Sequence, residues 1–73
     1  MVLKEHIGKR LREKRLKHGK TLHEIADLVG VSFVQVSQVE RGVTNPSVNL
    51  LWRLSRAFNV SPGYWFIGFK YED

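Results

Sequence analysis

The sequence predicts an all-α fold of five short helices. Two observations carry that reading. Apolar residues recur at helical spacing, as Leu3, Ile7 and Leu11 do at every fourth position, which lines them up on one helical face. Polar caps and glycines then punctuate the chain at short intervals, marking where each helix starts and stops.

The first helix is expected over residues 3–18 and ends at Gly19, because glycine takes the left-handed conformation of a helix end without steric cost. The second opens with Thr21-Leu22-His23-Glu24. In this capping box the Thr21 hydroxyl and the Glu24 carboxylate satisfy backbone donors reciprocally. Ile25, Ala26 and Val29 give it an inward face, and Gly30 closes it. The third helix opens on a second capping box, Ser32-Phe33-Val34-Gln35, and stops at Gly42. Its valines half favour a strand, but the two caps and the bounding glycines outweigh them. The fourth helix begins near Asn45-Pro46-Ser47 and runs to Phe58, before Asn59. The fifth starts at Ser61-Pro62, a cap followed by proline at the first helical position, and ends by Gly68. Residues 69–73 read as a loose tail.

Length and composition narrow the function classes. The 73 residues fit one domain, and a chain this short buries only roughly 60% of its unfolded surface. There is no cysteine, so no disulfide or thiolate metal site can staple the fold. No apolar run approaches the roughly 20 residues that cross a bilayer, and the N-terminus lacks an apolar signal segment. A soluble, cytoplasmic protein is expected. Twelve Lys and Arg against seven Asp and Glu give a net charge of +5. Eight of the twelve lie in the first twenty positions: Lys4, Lys9, Arg10, Arg12, Lys14, Arg15, Lys17 and Lys20. That balance suits a polyanion such as nucleic acid, although a basic helix can also be a merely solvated face.

The most informative stretch is Val29-Gly30-Val31-Ser32. Two short helices joined by so tight a connection must cross steeply, which is the helix-turn-helix arrangement over residues 21–41. Its second helix can project into the roughly 12 Å major groove of B-DNA.

Five motifs then resemble one family in order and spacing. They are Ile7-Gly8-Lys9-Arg10-Leu11-Arg12, Thr21-Leu22-x-Glu24-Ile25-Ala26, Gly30-Val31-Ser32, Ser37-Gln38-Val39-Glu40-Arg41-Gly42 and Asn45-Pro46-Ser47. Together they resemble the Xre-type (Cro/C1-type) helix-turn-helix regulators, over residues 5 to 66. The resemblance implies a lambda-repressor-like bundle that binds operator DNA, usually as a dimer. It puts the recognition helix at residues 32–40, with Phe33, Val34, Ser37 and Gln38 toward bases and Val36 and Val39 toward the core. It puts phosphate contacts at Thr21, Leu22 and Ser32, and at Arg41, Thr44, Asn45 and Ser47. Arg15 and Glu40 match an internal salt bridge of the family. Two departures stand out. Phe33 and Val34 replace commoner polar residues, and Leu22 replaces a glutamine, so only its backbone can reach phosphate.

Residue by residue, Gln38 suits an adenine edge, and Phe33 and Val34 suit thymine methyls. The plain alternatives are an exposed helix glutamine and an inward-rolled phenylalanine. Arg41 and Asn45 can equally cap a helix end and a turn. His6, His18 and His23 show no metal-ligand pattern; His18 reads as a helix-end residue and the others as surface. Leu50, Trp52, Tyr64, Ile67 and Phe69 exceed what so small a core can bury, which marks a homodimer interface; a partly exposed aromatic capping the core is the plainer reading of each.

The sequence therefore points to a dimeric repressor binding an inverted-repeat operator. The alternative is an antitoxin that neutralises a toxin protein and autoregulates through DNA, and a third is a protein adaptor that has kept only the fold. No nucleophile–base spacing, acidic pair or phosphate-cradling glycine loop supports an enzyme, and no cofactor is expected.

Overall fold

The computed structural model describes residues 2–70, and it contains four α-helices and one short 3₁₀ helix. These are α1 (Leu3–Lys17), α2 (Leu22–Val29), α3 (Phe33–Glu40), α4 (Val48–Phe58) and the 3₁₀ turn Pro62–Phe66. The caps sit where the sequence puts them. Thr21 Oγ1 accepts the Glu24 amide at 3.1 Å, and Ser32 Oγ accepts the Gln35 amide at 3.1 Å. Ser47 Oγ accepts the Leu50 amide at 3.0 Å, which starts α4 two residues later than Asn45-Pro46 would.

Each helix contributes to one core. Ile7 and Leu11 come from α1, Ile25, Ala26 and Val29 from α2, and Val36 and Val39 from α3. Leu50, Leu51, Leu54 and Phe58 of α4 complete it around Trp65, the largest fully buried side chain. The indole N–H of Trp65 donates to Ser55 Oγ at 2.8 Å, and that hydroxyl donates onward to the Leu51 carbonyl at 2.7 Å. The buried polar atoms are thus paired, as a low-dielectric interior requires.

Two glycines are required by geometry. Gly30 adopts φ +73° at the end of α2, which lets the chain reverse into α3 within three residues. Gly8 lies mid-helix where α1 crosses the end of α3. A Cβ there would stand 2.5 Å from the Val39 carbonyl oxygen and 2.6 Å from that of Glu40.

Three expectations need correction. The fifth helix is a five-residue 3₁₀ turn, with the Tyr64 amide bonded to the Ser61 carbonyl at 3.0 Å. Pro62 supplies no amide and Gly63 favours the coil, so too few residues remain to propagate an α-helix. Leu50 is buried at 7% exposure and therefore belongs to the core and not to a subunit interface. Leu50 lies in the first turn of α4, one turn before Leu54 on the same inward face, and is buried with Leu51, Leu54 and Phe58. The tail is not loose at its start: Phe69 packs edge-on against His6 with ring centroids 5.5 Å apart. Residues 71–73 lie outside the described residues.

Candidate nucleic-acid interface

The surface that could meet DNA is built from the start of α2, the outer face of α3 and the loop leading to α4. On α3, Val36 and Val39 point inward at 1% and 3% exposure. Helical periodicity then turns residues 33, 34, 37 and 38 outward. Phe33 is 39% exposed and Val34 58%. Ser37 and Gln38 are half-buried. This outer face carries an apolar N-terminal half and a polar C-terminal half.

Beside it runs a cleft of about 310 Å³, lined by Gln35, Gln38, Val39, Thr44, Asn45, Pro46, Ser47 and Leu50. Gln38 and the segment after α3 thus share one concavity. Leu50 enters as part of its floor. Arg41 caps the end of α3 and is exposed, as is Asn45; Thr44 is half-buried. Lys4 Nζ reaches the Val43 carbonyl at 3.5 Å, which brings a cation of α1 to this loop.

At the other edge, the first amides of α2 lack intrahelical acceptors, as at any helix start. Thr21 is exposed, whereas the Leu22 side chain is half-buried against the core and leaves only its backbone outside. The Glu24 carboxylate accepts the Thr21 amide at 2.9 Å. That hydrogen bond is the main reason the carboxyl sits below the usual carboxylate range. The Ser32 hydroxyl is engaged with Gln35, so any phosphate it met would share it with the cap.

The α3 platform is held from behind. Arg15 grips Glu40 with two parallel hydrogen bonds, Nε to Oε2 and Nη2 to Oε1, both 2.7 Å. The two side chains are 11% and 5% exposed. Arg15 also donates to the Lys20 carbonyl at 2.9 Å, tying the α1–α2 turn to the same point. The hydrogen bond to Glu40 raises the Arg15 pKa above its ordinary value, with burial opposing. Arg12 adds a longer contact to Glu40, 3.4 Å, from a 63% exposed side chain.

One feature of this face was missed from the sequence. The His23 imidazole stacks on the Phe33 ring, centroids 4.1 Å apart and planes 16° from parallel. The signal was present, since both are flat residues at the starts of consecutive helices, but their meeting depends on the crossing angle. Among the apolar residues proposed for an interface, Trp52 is 48% exposed and Ile67 56%. Tyr64 and Phe69 are half-buried, Tyr64 beneath the cations of Arg10 and Lys14 at 5.0 and 5.1 Å.

The sequence pattern of the HTH_3 helix-turn-helix family matches residues 11–65. An HTH-type transcriptional regulator of Sinorhizobium fredii is 33% identical over 84% of this chain, which corresponds to 43% of that protein. The chain spans about half the length of most of the curated relatives it matches. Among solved structures, the clp gene regulator ClgR of Corynebacterium glutamicum superposes with a TM-score of 0.86 at 34% identity, covering 92% of this chain and 71% of that one. The P22 c2 repressor, solved with a synthetic operator, gives a TM-score of 0.79 at 38% identity, covering 86% and 96%.

Proposed function

Because the chain belongs to the HTH_3 (Xre/Cro-C1-type) family of DNA-binding transcriptional regulators, which are not enzymes, we propose that it is a sequence-specific repressor that inserts α3 into the major groove of duplex DNA. The observation that carries this reading is the divided surface of α3. Val36 and Val39 anchor it in the core while Phe33, Val34, Ser37 and Gln38 face outward beside two polar loops. Gln38 pairs with an adenine edge, and Phe33 and Val34 cover thymine methyl groups. Phosphates are held by the starts of α2 and α3 at Thr21, Leu22 and Ser32, where amides and the helix dipole favour an anion. Arg41, Thr44, Asn45 and Ser47 hold the next phosphates from the far side of the cleft.

The functional unit is a two-fold dimer. One recognition helix spans only a few base pairs, so pairing doubles the sequence read and sets the helices about 34–36 Å apart, one turn of B-DNA. Trp52, Tyr64, Ile67 and Phe69 supply the contact, and the operator is an inverted repeat. A repressor role is inferred from the P22 c2 relative, and the site of action is the cytoplasm. No helix among the described residues is long and apolar enough to cross a membrane.

Affinity for duplex DNA at rising salt tests the reading. A protein making about 6–10 phosphate contacts loses roughly 10³–10⁵ in affinity between about 50 and about 200 mM salt. A loss in that range is expected, and an affinity that barely moves excludes DNA as the ligand.

A further inference from the structure

We propose that His23 is a positioning residue for Phe33: its imidazole fixes the ring that reads the thymine methyl, so base preference at that step depends on a side chain that touches no base. The inference rests on the DNA-reading role of α3 given above. Phe33 is the first residue of α3 and 39% exposed. At that position no preceding helical turn restricts χ1, so an unsupported ring would share its time between staggered wells. His23 removes that freedom. Its ring lies parallel to that of Phe33, 4.1 Å away and 16° off, and covers one face. The 39% of Phe33 that stays exposed beside this stack is what it can offer a base.

The placement of His23 makes the support directional. It is the second residue of α2, next to Thr21 and Leu22, whose backbone is proposed to meet phosphate. The Thr21–Glu24 capping box holds this turn with hydrogen bonds of 2.9 and 3.1 Å in the two directions. The stack therefore runs from a phosphate-anchored helix start to the base-reading side chain, across the turn that Gly30 makes at φ +73°. Docking the backbone of α2 on phosphate fixes the height at which the Phe33 ring enters the groove. A flat, half-wet ring is what this position needs: an aliphatic side chain offers no parallel face, and histidine keeps its nitrogens in water. His23 is exposed and outside the core cluster, so its removal leaves the fold intact.

The test uses the full chain and duplexes enriched by it from a random library. Thymines in the best duplex are replaced one at a time by deoxyuridine, which deletes only the methyl group. The wild type is expected to lose up to about fourfold in affinity at one thymine, the equivalent of one buried methyl group. Phe33→Ala should abolish that difference. His23→Ala should abolish it too, with unchanged melting temperature and unchanged preference at the other base pairs, while His23→Phe restores it. The double variant should be no less discriminating than Phe33→Ala alone. If His23→Ala keeps the thymine–deoxyuridine difference of the wild type, or if the two substitutions act additively, His23 does not position Phe33. If the wild type enriches no sequence at all, the regulator reading fails first, and this inference with it.

Discussion

Glu40 is 5% exposed and clamped by Arg15, so its charge is tolerable only while the guanidinium is present. Removing one partner of such a pair leaves a buried, uncompensated charge. Glu40→Ala should cost about 3–5 kcal/mol, which in a domain of this size lowers the melting temperature by more than about 10 °C. Replacing both residues by methionine should cost clearly less, because the desolvation cost disappears with the charges. Thermal unfolding of the three proteins checks this, and a Glu40→Ala protein that melts like the wild type contradicts it. Glu24 makes a different case. Its carboxyl is held below the usual range by the Thr21 amide, so the folded state binds its proton more weakly than the unfolded chain does. The stabilisation is full above the ordinary carboxylate pKa and is lost as pH falls through the depressed folded value. Glu24→Gln keeps a capping side chain but does not titrate. Its melting temperature should therefore fall less than that of the wild type on acidification, and equal falls would show that the capping carboxylate does not contribute.

At the scale of elements, contacts between helices decide more than propensity does. Glycine inside a helix ordinarily costs roughly 1 kcal/mol relative to alanine, yet Gly8→Ala should destabilise this protein. The new methyl would meet the Val39 and Glu40 carbonyls at 2.5 and 2.6 Å and push α3, the proposed reading helix, away from α1. Overpacking of this kind costs about 1–3 kcal/mol, and DNA binding should weaken with it. Ser55→Ala should cost about 1–3 kcal/mol, since it leaves the buried Trp65 indole N–H without its acceptor. Denaturant unfolding measures both; a Gly8→Ala protein more stable than the wild type would contradict the close crossing. These two residues also mark what the sequence leaves hidden. The helix starts at Thr21 and Ser32 were legible because caps act locally, through a hydroxyl and an amide three residues apart, whereas Asn45-Pro46-Ser47 left open which of its polar residues caps α4. Val36 and Val39, which are buried, were legible as core from the register that the family resemblance implies. The inward turn of Leu50, the 3₁₀ form of Pro62–Phe66 and the His23–Phe33 stack were not. The first and the last depend on how two elements cross, which no local pattern encodes; the 3₁₀ form has a local cause in Pro62 and Gly63, which the cap-and-proline start signal at Ser61-Pro62 masked.

For the molecule as a whole, charge and exposed apolar surface divide the labour. Lys4 leans on the loop after α3, and Arg41 lies open beside it. Trp52 and Ile67 leave apolar area uncovered on α4 and the segment after it. In the proposed dimer an isologous interface makes every substitution count twice. Ile67→Asp should weaken self-association and operator binding together while leaving the monomer folded, as sedimentation and circular dichroism would report. A variant that still associates like the wild type would remove Ile67 from the interface. Whether α3 reads base sequence is decided by one ratio. It is the affinity for a duplex enriched from a random library over that for a scrambled duplex of the same composition, at physiological salt. An inverted repeat, with half-sites one helical turn apart, should be enriched and bound at least about 10³-fold more tightly. Equal affinity for the two duplexes would contradict it.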